Sequence, residues 1–284
     1  LVRSRGLGDV YKRQMLNSIR AYIKRKIVRE KIVPIIIKDI ENNLLVGKRA
    51  FITGGSSGIG FSIAKKFIES GCEVIIGGSD ESKLQKCAEE LNCNFLTADL
   101  NDISNLKEKI FKKLGVVDIL VNSAGYHGAD QFGEVTSEEW DKVMNINLKG
   151  MYFACQFVSE MMINHKIKGH ILNVSSASSL KPGWTPYEIS KRAVNGLTLG
   201  FADKLIQYGI VVNGIAPGPT ATPMLGKSLD GDLNLAWSAN PSGRMSTVEE
   251  VANLALFMVS DLGNGIIGDT FFLTGGSGTV CIDK

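Results

Sequence analysis

The pair of residues that most directly suggests chemistry is Tyr187 and Lys191, which lie four apart in the stretch Tyr-Glu-Ile-Ser-Lys. In a helix, residues at this spacing share a face, so both side chains point into the same space. A phenol with its ordinary pKa of about 10 is a poor base at neutral pH, but a nearby ammonium favours the phenolate and lowers that pKa. Such a pair can exchange a proton with a substrate oxygen. The same spacing also fits an exposed pair on an amphipathic helix.

A glycine-rich turn follows the first β-branched run of the chain. Its residues are Gly54, Gly55, Ser56, Ser57, Gly58, Ile59 and Gly60. A helical pattern begins within this turn. Glycines at such a point let the backbone approach a pyrophosphate, whose charge is stabilised by the amino end of the helix. The turn predicts dinucleotide binding, and a glycine turn without a ligand is the alternative.

Composition excludes several classes of function. A net charge of +3 on 284 residues is too small to indicate a nucleic-acid partner. No apolar run reaches the roughly 18 residues that a membrane-spanning helix needs. The 5 cysteines are scattered without a C-x-x-C pair, which favours reduced thiols and a cytoplasmic protein. The 3 histidines lack the spacing of metal ligands, so we predict no metal site.

Short β-branched runs alternate with amphipathic stretches of helical length from Lys48 onward. The predicted strands are Ala50–Thr53, Glu73–Ile76, Asn94–Ala98, Ile119–Asn122, His170–Ser175, Ile210–Ala216 and Thr270–Leu273. The predicted helices include Ile59–Ser70, Ser82–Leu91, Ile103–Leu114 and Val248–Met258. Near-continuous apolar strands that alternate with helices are typical of a parallel sheet covered on both faces. We therefore predict an α/β fold in which residues 47–284 form a single doubly wound Rossmann domain.

Two segments precede this domain. Residues 1–14 are interpreted as an artefact, because Asp9-Val10-Tyr11-Lys12-Arg13-Gln14 resembles the translation of a transposase adapter from sequencing libraries. A genuine basic tail is the alternative. Residues 15–46 form a basic amphipathic extension that we expect to be helical. Such a segment can lie on an anionic membrane surface, but we favour packing on its own domain or on a partner subunit.

Three further motifs complete a series along the chain. They are Asn122-Ser123-Ala124-Gly125, Asn173-Val174-Ser175-Ser176 and Pro217-Gly218, which follow or end the fourth, fifth and sixth predicted strands. Together with the glycine-rich turn and the Tyr187–Lys191 pair, they resemble the short-chain dehydrogenase/reductase family over about residues 48–276. The chain departs from the family's pattern at Ser123, where relatives carry a second Asn.

The resemblance implies a catalytic tetrad of Asn147, Ser176, Tyr187 and Lys191. Ser176 would hydrogen-bond the substrate carbonyl, and Tyr187 would exchange the proton. Lys191 would tune Tyr187 and bind the nicotinamide ribose, and Asn147 would support a proton relay through water. Ser175 stays an alternative to Ser176, because the Ser176–Tyr187 spacing is shorter than in many relatives.

The resemblance also implies a set of cofactor contacts at the carboxyl ends of the strands. The implied cofactor-binding residues are Gly54, Ser56, Ser57, Gly58, Ile59, Gly60, Ser79, Asp99, Leu100, Asn122, Ala124, Gly125, Tyr187, Lys191, Pro217, Gly218 and Thr222. The end of the second strand bears on which dinucleotide binds. NAD enzymes place a carboxylate there on the ribose 2′-hydroxyl, but this chain has Gly77-Gly78-Ser79. We favour NADP(H), because no carboxylate ends this strand. NAD(H) is the alternative, because Asp80 follows Ser79 and because no Arg stands at or near this point, as it does in many NADP enzymes of the resembled family.

The implied activity is hydride transfer between NADP(H) and a ketone or secondary alcohol of a small or medium substrate. A 3-oxoacyl-[acyl-carrier-protein] reductase and a non-catalytic dinucleotide-binding regulatory protein are the alternatives. Substrate choice is expected in residues 126–130, 178–184 and 219–240. The last of these stretches predicts a partly apolar lid. Its apolar residues are Met224, Leu225, Leu229, Leu233 and Trp237.

Two segments predict self-association. Met151–Val158 and Ala193–Leu205 read as helices with apolar residues on more than one face. A sheet covers only one face of each helix, so the remaining apolar surface needs another partner. In the resembled family these helices form a two-fold subunit interface. We therefore expect a homodimer or, preferably, a homotetramer.

Overall fold

Seven parallel strands form one sheet in the computed structural model, which describes residues 43–128, 131–222, 224 and 235–280. The strands are β1 (Arg49–Thr53), β2 (Glu73–Gly78), β3 (Asn94–Thr97), β4 (Ile119–Asn122), β5 (His170–Val174), β6 (Val211–Pro217) and β7 (Thr270–Leu273). Their order in the sheet is β3-β2-β1-β4-β5-β6-β7. The direction of winding therefore reverses between β1 and β4. In open α/β sheets a ligand crevice forms at such a reversal, beyond the carboxyl ends of the strands.

Helices cover both faces of this sheet. They are α1 (Gly58–Glu69), α2 (Glu81–Leu91), α3 (Ile103–Lys109), α4 (Ser137–Met144), α5 (Met151–Asn164), α6 (Pro186–Leu205) and α7 (Val248–Val259). Helices α1, α2 and α7 pack on one face of the sheet, and α3, α5 and α6 pack on the other. Alternate residues of β1 serve the two cores, since Ile52 belongs to the first and Phe51 to the second. This alternation is the period of two that a strand imposes.

The predicted doubly wound α/β fold is confirmed. Every predicted strand is present, and its ends lie within two residues of the predicted ones. The predicted helix Ile103–Leu114 continues past Lys109 as a π-helical turn, Ile110–Leu114. A second π-helical segment, Asn145–Gly150, joins α4 to α5 and was not predicted. Residues 1–14 and nearly all of the extension 15–46 lie outside the described residues, so their interpretation stays a prediction.

Helix α6 begins with a strong local signal. The Thr185 hydroxyl accepts a hydrogen bond from the Glu188 amide, and the Glu188 carboxylate accepts one from the Thr185 amide. Pro186 occupies the first turn, where its missing N–H costs nothing. This capping box fixes the first residue of the helix. It therefore fixes the direction of Tyr187, which follows at once.

The end of β2 contains two glycines with different surroundings. A Cβ on Gly77 would lie 2.8 Å from the ring of Phe51, whereas a Cβ on Gly78 would meet Leu84 at an ordinary 3.6 Å. Phe51 is fully buried between the sheet and its helices, so its ring has little room to move. Packing therefore requires a glycine at position 77 but not at position 78.

We expect Gly77→Ala to lower the free energy of unfolding by about 1–3 kcal/mol, because it overpacks the core against Phe51. The matched variant Gly78→Ala should change it by less than about 0.5 kcal/mol or raise it slightly. Urea unfolding followed by circular dichroism measures both values. Equal loss in the two variants would contradict the packing argument.

Candidate active site

A cavity of about 390 Å³ opens at the carboxyl ends of the central strands. Of the residues predicted from the sequence, those on its wall are Gly54, Ser57, Gly58, Ile59, Ala124, Gly125, Ser176, Tyr187, Lys191, Pro217, Gly218 and Thr222. They come from segments that follow β1, β4, β5 and β6, and from α6. The structure thus brings most of the predicted site together at the reversal in strand order.

The glycine-rich turn has a conformation that only glycine adopts readily. Gly54 has φ +67° and Gly58 has φ +52°. A Cβ on Gly54 would lie 2.7 Å from the Ala124 backbone, and a Cβ on Gly60 would collide with the Gly54 carbonyl. Ser57 is the N-cap of α1 but makes no capping hydrogen bond through its side chain within the described chain. The first amides of α1 are therefore without a side-chain cap, as expected of an anion-binding turn.

The two serines at the end of β5 have different environments. The hydroxyl of Ser175 is buried and hydrogen-bonds to the Lys191 carbonyl (3.0 Å) and Asn195 Oδ1 (2.6 Å). Ser176 is half-buried on the cavity wall, and its hydroxyl accepts a hydrogen bond from the Ser178 amide at 3.1 Å. That bond leaves the proton of the Ser176 hydroxyl available to a ligand. The geometry therefore favours Ser176 over Ser175 as the serine that can contact a substrate.

Tyr187 and Lys191 share one face of α6, as the spacing predicted. The ammonium of Lys191 lies 5.7 Å from the centre of the Tyr187 ring and donates a hydrogen bond to the Val174 carbonyl at 2.9 Å. Burial lowers the pKa of Lys191 to about 8. The ring of His127 packs against Tyr187 with 4.4 Å between ring centres. A phenol that lies near a desolvated cation is the arrangement expected of a proton donor and acceptor.

Asn147 is fully buried in the π-helical segment and contacts the loop after β4. Its Oδ1 accepts from the Tyr126 amide at 2.7 Å, and its Nδ2 donates to the Tyr126 carbonyl at 2.9 Å. The same amide group donates to the Ser190 hydroxyl at 3.2 Å. A Cβ on Gly125 would lie 3.6 Å from Lys191 Nζ and 3.7 Å from Asn147 Oδ1. Asn147 is thus close to the lysine, but its side chain is engaged in holding Tyr126 against α6.

Several predicted cofactor residues do not line the cavity. Asn122 is buried below it, where its Nδ2 donates to Asn173 Oδ1 at 2.9 Å. Leu100 is buried against Gly150. Ser56, Ser79 and Asp99 also lie away from this wall, and Ser79 is exposed at the end of β2. The predicted role of these residues therefore depends on a cofactor that extends beyond the cavity along the edge of the sheet.

The predicted substrate stretches supply the outer wall. His127, Ser178, Lys181, Thr220, Met224 and Trp237 all line the cavity. Of the predicted lid, Leu225, Leu229 and Leu233 lie outside the described residues. Ser277 also lines the cavity, although no sequence motif marked it. The glycines around Ser277 predict a turn just after β7, which is the only signal that could have placed it at this edge of the sheet.

The described residues contain neither a metal-ligand cluster nor a membrane-spanning helix. None of their His, Cys, Asp and Glu side chains form a group of three that could hold a metal ion. No helix among these residues has both the length and the apolar character needed to cross a membrane.

Known proteins resemble the whole domain. The family model for short chain dehydrogenase matches residues 48–232. A 3-oxoacyl-[acyl-carrier-protein] reductase of Chlamydia muridarum is 36% identical over 247 residues, which cover 83% of this chain and 99% of that protein. The gluconate 5-dehydrogenase of Gluconobacter oxydans is 32% identical over 244 residues, which cover 82% and 95%. A solved 3-oxoacyl-[acyl-carrier protein] reductase of Brucella melitensis with bound NAD has a TM-score of 0.74 at 27% identity, covering 85% of this chain and 97% of that one.

The family model spans β1 to β6, the glycine-rich turn and α6. The relatives align along nearly their full length, and the family model covers more than half of this chain. The resemblance inferred from the motifs is therefore confirmed. The chain belongs to the short-chain dehydrogenase family and is an oxidoreductase that acts on CH–OH groups and the corresponding ketones.

Proposed function

We propose that this enzyme transfers a hydride between NADP(H) and a ketone or secondary alcohol of a small or medium substrate, with Asn147, Ser176, Tyr187 and Lys191 as the working residues. The observation that carries the proposal is the Tyr187 phenol beside a buried ammonium in the cavity that the glycine-rich turn also lines. All four tetrad positions are intact, which favours an enzyme over a non-catalytic binding protein.

The residues present fit a dinucleotide. A Cβ on Gly54 would collide with the Ala124 backbone, so the turn packs directly on the loop after β4, and the first amides of α1, which lack a side-chain cap, are available to a pyrophosphate. The Lys191 ammonium has three donors, and the Val174 carbonyl is its one acceptor among the described residues. Its other donors suit the hydroxyls of a nicotinamide ribose. When bound, the cofactor supplies or accepts the hydride.

Each polar group then has a defined task. Ser176 donates its hydroxyl proton to the substrate oxygen and holds the substrate beside Tyr187. Tyr187 gives a proton to that oxygen during ketone reduction and takes it back during alcohol oxidation. The Lys191 ammonium stabilises the phenolate that forms between these events. Asn147 positions Tyr126 and with it the loop after β4, whose His127 ring packs against Tyr187.

The end of β2 supports NADP(H) over NAD(H). The side chains that follow Gly78 are Ser79, which is exposed, and Asp80, which caps α2. Asp80 accepts hydrogen bonds from the Lys83 amide and the Ser82 hydroxyl, and these bonds lower its pKa. Its carboxylate is therefore engaged with the helix. The strand end itself, Gly77-Gly78-Ser79, thus offers no carboxylate that could accept a hydrogen bond from a ribose 2′-hydroxyl, as an NAD enzyme would.

A second candidate function is reduction of a 3-oxoacyl thioester on an acyl carrier. The named reductases of Chlamydia muridarum and Thermotoga maritima favour it, at 36% and 35% identity. A gluconate 5-dehydrogenase at 32% identity favours a small polyol instead. Turnover of a panel of ketones, sugars and acetoacetyl thioesters, followed by NADPH absorbance, separates the two.

An apolar groove supports self-association. It has a volume of about 740 Å³ and lies between the end of α4, α5 and α6. Tyr152 packs edge-on against Phe201 and Phe153 in this groove, yet 45% of its surface is exposed. Phe271 and Phe272 on the edge strand β7 are also partly exposed. We propose a homotetramer that buries both surfaces, and a cytoplasmic enzyme, which the unpaired thiols of Cys72, Cys87, Cys93 and Cys155 support.

Tyr187→Phe should lower kcat by about 10²–10⁴-fold, because only the phenolic proton is lost while the ring keeps its place against His127. Cofactor binding, measured by NADPH fluorescence, should be retained. Tyr208→Phe is the matched control, since Tyr208 is exposed at the end of α6. Near-normal kcat in Tyr187→Phe on any good substrate would contradict the assignment.

The unmodified enzyme should bind NADPH more tightly than NADH, and Gly78→Asp should reverse that order. An added carboxylate would repel the 2′-phosphate and accept a hydrogen bond from the 2′-hydroxyl, for a change of about tenfold or more in the ratio of dissociation constants. Gly78→Ala controls for the added Cβ, which has room beside Leu84. Tighter NADH binding by the unmodified enzyme would overturn the NADP(H) proposal.

Protein that begins at Met15 should be a tetramer, or at least a dimer, in light scattering at micromolar concentration. Tyr152→Asp should dissociate it, because the substitution places a charge in the apolar groove. Tyr208→Asp, at an exposed tyrosine that does not line the groove, should not. A fully active monomer would show that the chain covers these surfaces by itself.

A further inference from the structure

One charged side chain on the cavity wall has no task in hydride transfer. Lys181 lines the cavity together with Ser176, Ser178 and Tyr187. It lies in the segment after β5, whereas the glycine-rich turn follows β1, two positions away in the sheet. At the usual strand spacing this separation is about 10 Å. Lys181 therefore belongs to the part of the wall that faces a substrate, away from the pyrophosphate turn.

The backbone of Lys181 is firmly held. Its carbonyl accepts a hydrogen bond from Arg192 Nη2 at 2.9 Å, and its amide donates to the Ser178 carbonyl at 3.2 Å. Arg192 Nε also donates to the Ser179 carbonyl at 3.0 Å, so one α6 side chain holds both ends of the turn. Pro182 follows and favours the extended conformation seen at Lys181. The starting point of the lysine side chain is thus fixed relative to α6, the helix that carries Tyr187.

The ammonium of Lys181, by contrast, is uncommitted. It makes no hydrogen bond or ion pair with any residue of the described ranges. None of the described residues that line the cavity is an aspartate or a glutamate. The charged groups on this wall are therefore the two cations Lys181 and Lys191, and Lys191 is already buried against Val174.

We propose that Lys181 binds a carboxylate of the substrate, so that the enzyme acts on keto acids or hydroxy acids in preference to their neutral counterparts. The inference rests on the proposed hydride transfer at Tyr187 and names the substrate class of that same site. Among the described lining residues, one uncommitted ammonium with no carboxylate beside it favours an anion in the cavity and pairs with it at one point. Ser178 and Ser277, on the same wall, can complete the hydrogen bonds of a carboxylate.

The same cation could instead meet a phosphate of a thioester carrier. A carboxylate within the substrate is favoured, because Lys181 is five residues from Ser176 and both line one cavity of about 390 Å³. A carrier phosphate is separated from its thioester by a long arm, so it would lie far from Ser176 when the thioester carbonyl is at Tyr187. An acetoacetyl-coenzyme A arm in the experiment distinguishes the two sources.

Ligand binding to the Tyr187→Phe variant tests the role of the Lys181 charge without turnover. Calorimetry would compare D-gluconate with D-glucitol, and levulinate with 5-hydroxy-2-pentanone, each added to enzyme saturated with NADP⁺. In each pair the acid differs from its neutral partner only by a carboxylate in place of a hydroxymethyl group. We expect at least one acid to bind about tenfold more tightly than its partner, as a charged hydrogen bond allows. This preference should fall as sodium chloride is added, because Lys181 is exposed.

Substitution then assigns the preference to Lys181. Adding Lys181→Met should reduce the acid-to-neutral ratio by about tenfold, and Lys181→Arg should keep most of it. Lys113→Met is the matched control at an exposed lysine that does not line the cavity, and it should leave the ratio unchanged. In the Lys181→Met variant with Tyr187 restored, the ratio of kcat/KM for 5-keto-D-gluconate to that for L-sorbose should also fall by about tenfold.

The outcomes separate this inference from the proposed function. Equal binding of both members in each pair, or a preference that survives Lys181→Met, would overturn the carboxylate proposal while leaving hydride transfer intact. A Lys181→Met effect on acetoacetyl-coenzyme A without one on the acids would also overturn it in favour of a carrier phosphate. A Lys181-dependent preference in an enzyme that reduces no ketone would instead contradict the proposed function.

Discussion

The burial of the Lys191 ammonium is the constraint on which the rest of the site depends. Its pKa falls from an ordinary 10.5 to about 8, so keeping the charge there at neutral pH costs about 3 kcal/mol relative to water. The Val174 carbonyl offsets part of this cost, which requires β5 to end beside α6. Ser175 secures that approach, because its buried hydroxyl bonds back to the Lys191 carbonyl. The serine beside the proposed catalytic one therefore holds the strand to the helix, and this leaves Ser176 facing the cavity.

A chain of buried amides extends this support across the sheet. Asn122 at the end of β4 donates to Asn173 of β5, and Asn173 donates to the Thr198 hydroxyl on α6. Such networks are stabilising when nearly all members are paired, and Asn122 Oδ1 is the one atom of these three side chains that has no partner among the described residues. Asn147 adds a second connection, from the π-helical segment to Tyr126 and to Ser190 on α6. The residues proposed to contact substrate and cofactor are thus held in register by a buried polar network.

Much of this could be predicted from the sequence, and the remainder could not for physical reasons. The strands and the turn from Gly54 to Gly60 follow from short-range patterns, and so does the shared face of Tyr187 and Lys191. The hydrogen bond of Asn122 depends on Asn173, which is distant in the chain, so the motif alone could not indicate it. The π-helical segment at Asn147 has no signature in helical periodicity. The division of work between Ser175 and Ser176 also required the position of α6.

The positive charge of the described cavity wall results from the positions of the acidic side chains, several of which cap helices. The chain is nearly balanced, with 32 basic and 29 acidic residues, so its composition does not make the cavity positive. Several carboxylates near this end of the sheet cap helices, among them Asp80 on α2, Asp102 on α3 and Glu188 on α6. Each is satisfied by backbone amides and is thereby kept out of the cavity. Helix α1 begins at the glycine-rich turn without a side-chain cap, and Lys181 extends from a turn held by Arg192. These capping interactions therefore support the two proposed anion sites, one for the cofactor pyrophosphate at the glycine-rich turn and one for the substrate carboxylate at Lys181.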